Sequence, residues 1–261
     1  MPLITLTTEW EQSDFYAGIF KGKLYSTIPH AQIVDNVSSL PYNSLNYVSF
    51  VIRHTYPYYP KGSIHIICVN TEPSNRNRIM VVKADEHYFI GTDDGKFSLI
   101  FHNKPIECVA INSTEADELD TYVDLAKALV SGADFRSLGE PTSKINVMVP
   151  ISASVTPNVI LGRVIYNDTY GNAITNITKE MFMKKFDGID FRIRIPGNIN
   201  HITAISDKYN MLSDGSLLAR FNNVGLLEIA MNNSNVKDLF NLEEGAEVRV
   251  EAVFVRPGKL L

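Results

Sequence analysis

The sequence predicts an α/β protein of two domains. A layered α/β domain with a mostly parallel sheet is expected over residues 1–145, and an antiparallel β-barrel-like domain over residues 158–261. Three observations predict this. The chain of 261 residues is 45% apolar and 20% charged, which is typical of a globular protein. Strand-length and helix-length patterns alternate in the first half, whereas period-two patterns fill the second. The turn formers Gly139 and Pro141 lie between the regions with these two sequence patterns.

In the first half, β-branched runs alternate with amphipathic stretches of helical length, which predicts helices packed on a parallel sheet. Strands are expected at residues 3–8, 32–35, 63–70, 79–84, 87–92 and 106–111. Helices are expected at residues 15–28, 45–56 and 119–131. The sequence Asp93-Asp94-Gly95 predicts a tight turn after the fifth strand.

In the second half, short alternating runs are separated by turns rich in Gly, Asn and Asp, which is typical of an antiparallel sandwich or barrel. Strands are expected at residues 159–166, 191–195, 202–206, 216–221, 226–231 and 247–255. Between two apolar runs, residues 166–172 form a long polar segment. Its simplest interpretation is a hairpin loop.

Composition excludes several functions. The net charge is −5 and no run of like charges occurs, so nucleic acid is not expected as a partner. No apolar stretch approaches the ~20 residues of a membrane span, and the N-terminal residues do not resemble a secretory signal. We therefore expect a cytoplasmic protein without membrane contact. Cys68 and Cys108 lie in apolar runs without metal-ligand spacing, so buried free thiols are expected.

The usual motifs for dinucleotide, nucleoside triphosphate, zinc-protease and α/β-hydrolase chemistry are missing from the sequence. The six histidines are scattered, so no metal site is expected. Polar residues do follow the first and third predicted strands, at 8–11 and 70–74. In an open α/β sheet the ligand crevice lies at the carboxyl ends of the strands, so these two segments are the candidate binding positions.

Five segments of the sequence occur in the order in which similar segments occur in one protein family. They are TTEW at 7–10 with SDFYAG at 13–18, YPYYPKG at 56–62, FIGTDDG at 89–95, YGNAITNI at 170–177 and GLLEIA at 225–230. The chain resembles the S-adenosylmethionine hydroxide adenosyltransferases, relatives of the fluorinating and chlorinating enzymes that use the same substrate. The resemblance covers nearly the whole chain and implies the same two-domain fold.

The resemblance also implies an activity and an assembly. Members of the family displace methionine from C5′ of the ribose of S-adenosylmethionine, with water or hydroxide as nucleophile in the hydrolytic members. They typically form homotrimers that hold the ligand between subunits. S-adenosylmethionine or adenosine is therefore the expected ligand, and no separate cofactor is implied. The implied nucleoside-binding residues are Glu9, Asn70, Asn172, Tyr209, Asn223, Glu228 and Met231.

The chain departs from the family at several of these positions. The family usually has aspartate where Glu9 stands and serine where Asn223 stands. Hydrolytic relatives position their water with an aspartate, an arginine and a histidine, and the matching residues here are Asn70, Asn77 and Asp117. We therefore expect Asp117 and Asn70 to be the catalytic residues. The alternative for Asp117 is the solvated first turn of the following helix, where an acidic side chain favours the positive end of the helix dipole.

Three functional hypotheses follow. The first is an enzyme that transfers the adenosyl group of S-adenosylmethionine to water and releases adenosine. The second is a catalytically silent protein of the same fold that binds S-adenosylmethionine or adenosine. The third is an α/β protein that has changed its ligand altogether. Release of adenosine and methionine would distinguish the first hypothesis from the other two, and calorimetric binding would separate the second from the third.

Overall fold

A computed structural model describes residues 2–112, 117–198 and 201–253. The chain divides into two compact units, residues 1–150 (unit 1) and 151–261 (unit 2). Unit 1 is an α/β layer structure and unit 2 is antiparallel β, so the predicted fold class is confirmed. Within the described ranges, no helix is both long and apolar enough to cross a membrane.

Unit 1 contains a seven-stranded sheet in the order β2-β1-β3-β5-β4-β6-β7. The strands are β1 Leu3–Thr8, β2 Gln32–Val37, β3 Ile64–Cys68, β4 Ile79–Ala84, β5 His87–Thr92, β6 Glu107–Ala110 and β7 Glu140–Thr142. Strands β2, β1, β3 and β5 pair in parallel, whereas β4 and β7 run against their neighbours. Five strands therefore point the same way, and the carboxyl ends of β1, β3 and β5 lie side by side at one edge.

The helices of unit 1 are α1 Phe15–Thr27, α2 Leu45–Thr55, α3 Lys96–Ile100 and α4 Glu118–Val130. Side chains cap three of them, since Asp14, Ser44 and Asp117 each accept a backbone N–H of the first helical turn. Helix α3 was not predicted. It begins after Gly95, whose φ of +107° favours glycine, so the expected tight turn leads directly into a helix.

The core of unit 1 lies on both faces of the sheet. Strand β3 is buried along its whole length, and its sequence is apolar except for His65, as expected for a central parallel strand. Each fully buried aliphatic side chain contributes ~1.5–3 kcal/mol to folding. Cys68 and Cys108 are buried free thiols, as predicted. Burial raises the pKa of Cys108 to about 11, so this thiol stays protonated at neutral pH.

Unit 2 is a curled antiparallel half-barrel in the order β11-β14-β9-β10-β13-β12, with β8 paired to β9. Its strands are β8 Ser154–Val155, β9 Val159–Asn167, β10 Ala173–Thr178, β11 Phe191–Arg194, β12 Leu217–Phe221, β13 Leu226–Met231 and β14 Glu247–Ala252. Two helices, α5 Lys179–Phe186 and α6 Val236–Phe240, complete it. Apolar residues of the sheet and of α5 form its core.

Unit 2 differs from the prediction at several elements. Strands β8 and β10 and both helices were not predicted. The predicted strand at 202–206 was wrong, because Ile202 pairs singly with Ile193 and Ile205 pairs singly with Ala219. The segment thus touches two different strands instead of running along one. The predicted strand at 247–255 ends at Ala252, and residues 254 and 255 lie outside the described residues.

Candidate functional site

Glu9 and Asn70 meet at the carboxyl edge of the sheet in unit 1. Glu9 follows β1, and its backbone N–H donates to the carbonyl of Cys68 at 3.0 Å. Its carboxylate Oε2 accepts the backbone N–H of Asn70 at 3.1 Å. The two predicted residues are therefore linked directly. This follows from the fold, since neighbouring parallel strands end at the same edge.

The side chain of Asn70 is held in a defined orientation. Its backbone φ is +49°, in the left-handed region that asparagine tolerates. The amide Nδ2 donates to the carbonyl of Tyr42 at 2.9 Å and to Asp94 Oδ2 at 3.3 Å. Both partners are pure acceptors, so the NH₂ group must face them. The amide oxygen Oδ1 is left with no partner among the described residues.

Behind Asn70 lies a fully buried lysine that the sequence analysis missed. Lys96 is 0% exposed, and its ammonium lies 3.1 Å from Asp94 Oδ2. It also donates to the carbonyls of Val69 and Thr92 at 2.9 and 3.1 Å. Burial lowers the pKa of Lys96, and the Asp94 carboxylate opposes that change. The available signal was a lysine directly after the turn, at the head of an otherwise apolar stretch.

Asp117 is the N-cap of helix α4, at the helix start where the alternative interpretation placed it. Its Oδ1 accepts the backbone N–H of Leu119 at 2.9 Å, and its Oδ2 lies 2.6 Å from the Lys23 ammonium. Lys23 also reaches Asp120 at 2.7 Å. The hydrogen bond from Lys23 lowers the pKa of Asp117, which weakens the carboxylate as a base. Its catalytic role stays a prediction, and these contacts count against it.

Glu118, the residue after Asp117, contacts the segment that follows β3. Thr71, which follows Asn70, donates its hydroxyl to Glu118 Oε1 at 2.7 Å. Helix α4 therefore contributes a carboxylate beside the Asn70 segment, although the carboxylate belongs to Glu118 and not to the predicted Asp117. Sequence reasoning missed Glu118 because acidic residues in a first helical turn are explained by the helix dipole alone.

Asn77, which occupies the position matched to the family arginine, lies in the turn before β4. Its backbone N–H donates to Ser74 Oγ at 3.1 Å, and its Oδ1 accepts Asn146 Nδ2 at 3.5 Å. Asn146 also donates its backbone N–H to Asp93 Oδ2 at 2.7 Å. Burial raises the pKa of Asp93, and its other oxygen has no hydrogen-bond partner within the described part of the chain. Asn77 thus contacts the loop around Asn146.

Unit 2 contains a pocket of about 580 Å³. This volume lies in the usual range for small-molecule sites. The pocket brings together three of the predicted nucleoside-binding residues, Asn172, Tyr209 and Met231. The remaining lining residues are Asp168, Tyr170 and residues 232–235.

Asp168 holds Asn172 in the lining of this pocket. Asp168 Oδ2 accepts Asn172 Nδ2 at 2.9 Å, and Asp168 Oδ1 accepts the backbone N–H of Asn172 at 2.9 Å. Gly171 between them has a φ of +79°, and a Cβ there would come within 2.0 Å of Asn235 Oδ1. The segment is the hairpin loop between β9 and β10, as predicted, and the contacts of Asp168 give it a fixed shape. It leaves Asn172 Oδ1 without a partner among the described residues.

Tyr209 and Glu228 form a second fixed pair. The Tyr209 hydroxyl donates to Glu228 Oε1 at 2.5 Å. Burial raises the pKa of Glu228, and burial together with this hydrogen bond raises the pKa of Tyr209 to about 12. The Arg220 guanidinium lies 4.5 Å from the centre of the Tyr209 ring, and Arg220 is opposite Glu228 in the β12–β13 pairing. Arg220 is a further residue that sequence reasoning missed.

Asn223 is not among the residues that line this pocket. It lies in the turn between β12 and β13, where the carbonyl of Asn222 accepts the N–H of Gly225 at 3.0 Å. Met231 stands at the opposite end of β13. At ~3.3 Å per residue, the length of this strand separates the two by roughly 16 Å. Unit 2 thus brings together Asn172, Tyr209, Met231 and Glu228 but leaves Asn223 apart.

Family models account for both units of the chain. The model of the SAM hydroxide adenosyltransferase N-terminal domain matches residues 4–139, and that of the C-terminal domain matches residues 162–249. The chain belongs to the SAM hydroxide adenosyltransferase family. The resemblance read from the five sequence segments is thereby confirmed.

Curated relatives of this family member carry the name (R)-S-adenosyl-L-methionine hydrolase. The protein from Methanocaldococcus jannaschii is 25% identical over 259 residues, with 96% of each chain covered. The protein from Thermus thermophilus is 23% identical over 255 residues, with 91% of this chain and 94% of the relative covered. Homologues of the family member are thus named as hydrolases of S-adenosylmethionine.

A solved structure supports the fold of the family member. The crystal structure of an uncharacterized conserved protein from Thermotoga maritima superposes with a TM-score of 0.84. It is 22% identical and covers 95% of this chain and 99% of its own. At this identity the likeness shows the fold alone.

Proposed function

We propose that this protein transfers the adenosyl group of S-adenosylmethionine to water and releases adenosine and methionine. The observation that carries the proposal is the pocket of unit 2, which gathers Asn172, Tyr209 and Met231 around a volume of about 580 Å³. An amide, an aromatic ring and a thioether side chain suit a nucleoside, whose base has a polar edge and apolar faces. The names of the curated relatives support the same substrate.

Recognition of the nucleoside uses groups whose orientation is already fixed. Asn172 Oδ1 is the acceptor that Asp168 leaves available, and it would receive the amino group of the adenine. Tyr209 offers its ring, because its hydroxyl is engaged by Glu228. In unit 1, Glu9 uses Oε2 to hold Asn70, so Oε1 would accept from the ribose hydroxyls.

The chemical step is a displacement at C5′. A lone pair of the water oxygen forms the C5′–O bond while the C5′–S bond breaks. The electron pair of the C5′–S bond leaves with the sulfur. The sulfonium becomes the neutral thioether of methionine, and the attacking water loses one proton to solvent. Since the leaving group is already activated by its positive charge, no metal or other cofactor is required. The protein contributes alignment of the water with the departing sulfur.

The charges of unit 1 favour water over halide as nucleophile. Carboxylates of Glu9 and Glu118 contact the Asn70 segment, whereas the charge of Asp94 is balanced by the Lys96 ammonium. They attract the positive sulfonium, whereas a halide 4 Å from one carboxylate would be repelled by ~4 kcal/mol at an effective dielectric constant of 20. Neutral water suffers no such repulsion, and Asn70 Oδ1 offers it an acceptor.

A second candidate function is a silent binding protein for S-adenosylmethionine or adenosine. It is favoured by the contacts of Asp117, which is engaged by Lys23 and by the first turn of α4. Asn70 and Asn77 replace charged residues that hydrolytic relatives use for their water. Without a base, rate enhancement would have to come from alignment alone.

We further propose that the protein acts in the cytoplasm as a homotrimer, with ligand held between subunits. The support for this assembly is the family resemblance. Light scattering of the purified protein tests it, with a mass of three 29.2 kDa chains as the expected result. A monomer that retains activity would overturn it.

The activity is tested by incubation with S-adenosylmethionine, chromatographic detection of adenosine and methionine, and calorimetric titration of the same sample. Equal amounts of both products support the enzyme. Binding heat without products supports the silent binder. Neither heat nor products would overturn both candidates.

A further inference from the structure

Lys96 is the one lysine with a fully buried side chain among the described residues, and it lies at the carboxyl edge that holds Asn70. A buried ammonium is costly unless every proton finds an acceptor. Its acceptors here are Asp94 Oδ2, the carbonyls of Val69 and Thr92, and Thr92 Oγ1 at 3.0 Å. The Thr92 hydroxyl donates its own proton to the carbonyl of Asn70, so it accepts from Lys96. All four partners are acceptors, and the protonated form has three protons to share among them, so the surroundings favour the ammonium.

These contacts tie together two strand ends. Val69 directly precedes Asn70, and Thr92 is the last residue of β5. Asp94 is bonded on both oxygens, since Oδ1 accepts the backbone N–H of Lys96 at 3.2 Å and Oδ2 accepts the ammonium. Asp94 is also nearly buried, with 9% of its side chain exposed. The carboxylate therefore has little freedom to rotate.

The same Asp94 Oδ2 accepts Asn70 Nδ2. Asp94 offers only acceptors, so together with the Tyr42 carbonyl, which accepts the same NH₂ group at 2.9 Å, it fixes the NH₂ side of the amide and turns Asn70 Oδ1 away from itself. A carbonyl oxygen accepts hydrogen bonds from a neutral O–H group and repels an anion. The orientation of this one amide thus decides which kind of nucleophile the strand ends can hold.

We propose that Lys96 is a positioning residue which, through Asp94, sets the amide of Asn70 so that Oδ1 receives a neutral O–H nucleophile. This inference rests on the proposed function, and it deepens it by assigning nucleophile selection to a buried ion pair. Lys96 itself is fully buried, so its side chain is not exposed to a ligand. Its effect is transmitted along the contacts Lys96, Asp94 and Asn70.

The test compares Lys96→Met, which keeps the length of the side chain but removes the ammonium, with Lys96→Met/Asp94→Asn. In the double variant, the amide at position 94 can still accept from Asn70 without needing a buried cation. We expect kcat for adenosine release to fall at least tenfold in Lys96→Met, with KM changed less than threefold, and to recover in the double variant. Lys104→Met is the matched control, since Lys104 pairs with Asp85 at 2.6 Å within unit 1 and lies outside the site.

A second readout is independent of activity. The side-chain amide resonances of Asn70, assigned with Asn70→Ser, report the bonds of Nδ2 by nuclear magnetic resonance. They should shift and exchange faster with solvent in Lys96→Met and remain as in the wild type in Lys104→Met. If the wild type is active, a kcat within twofold of wild type in Lys96→Met overturns the proposal. If the wild type releases no adenosine, the proposed function fails, and unchanged Asn70 resonances then overturn the positioning role separately.

Discussion

Tyr209 donates its hydroxyl to Glu228 at 2.5 Å, so an aromatic residue that lines the pocket of unit 2 also satisfies a carboxylate buried in strand β13. The hydroxyl is already hydrogen-bonded within the protein, so the part of Tyr209 that a ligand can contact is its ring. Arg220 packs on the ring at 4.5 Å and helps to keep it in place.

Tyr209→Phe should lower the free energy of unfolding by ~1–3 kcal/mol, because it leaves a buried carboxylate without its donor. The deficit should shrink in acid, where protonated Glu228 no longer carries the charge that needs the donor. Urea denaturation at several pH values measures both effects. Tyr170→Phe is the matched control, since Tyr170 lines the same pocket with 77% of its surface exposed. An equal loss in both variants would contradict the role of the Tyr209 hydroxyl.

Asn172→Ala should weaken adenosine binding by ~1–3 kcal/mol, the cost of an unpaired polar group in a buried site. Isothermal titration calorimetry measures this difference. Asn176→Ala serves as the control, because Asn176 also makes two amide hydrogen bonds, to Arg163 and Ile151, but lies outside the pocket. The control should lose stability and keep its affinity. Unchanged affinity in both Asn172→Ala and Glu228→Ala would remove the proposed nucleoside site.

Asp117→Asn should leave the rate of adenosine release within about twofold of wild type, because asparagine caps a helix as well as aspartate does. The lost ion pair with Lys23 should affect stability only slightly, since both side chains are partly exposed. Asp117→Ala should lower the free energy of unfolding by ~1 kcal/mol through loss of the cap. Initial rates and thermal unfolding check these outcomes. A fall of ~10²-fold in Asp117→Asn would instead show that Asp117 acts as the base.

The stability of the protein should fall in acid through His65. His65 is buried between Thr5 and His87, with ring nitrogens 2.7 and 3.1 Å from them. Burial lowers the pKa of His65 from 6.5 to about 3. Below about pH 6.5 the unfolded chain therefore binds a proton at His65 that the folded chain does not bind. The contribution of neutral His65 to the free energy of unfolding is thus complete above about pH 6.5 and is lost as the pH falls toward 3.

The expected slope from this single group is ~1.4 kcal/mol per pH unit within that window. Replacing His65 by phenylalanine, which fits beside the ring of Phe89, should remove this slope from the unfolding free energy. The exposed His30, replaced by glutamine, is the control and should keep the pH dependence of the wild type. An identical slope in all three proteins would contradict the assignment to His65.

Sequence patterns predicted the parts of the fold that depend on local periodicity. The segments after β1 and β3 were expected to lie at the ligand crevice of the sheet, and Glu9 and Asn70 do meet at that edge. The segment at 202–206 misled the analysis, because its two isoleucines contact different strands and apolar spacing does not show which strand is the partner. Helix α3 was missed because a five-residue helix is too short to show a helical period.

The candidate site was less predictable than the fold. A lone lysine is usually exposed, so only the three-dimensional structure shows that Lys96 is buried among four oxygen acceptors. The relation of Asn223 to the pocket depends on the length and direction of β13, which residue identity alone does not give. Asp117 illustrates the same limit, since its catalytic and capping interpretations share one residue type, and the cap to Leu119 and the ion pair with Lys23 are visible only in the structure.

The central claim is that water displaces methionine from C5′ of S-adenosylmethionine on this protein. It is tested most directly by running the reaction in water labelled with heavy oxygen and measuring the mass of the adenosine that forms. We predict adenosine that carries one labelled oxygen at C5′, in an amount equal to the methionine released and proportional to the protein added. Adenosine without label, or no adenosine above the protein-free control, would contradict the claim.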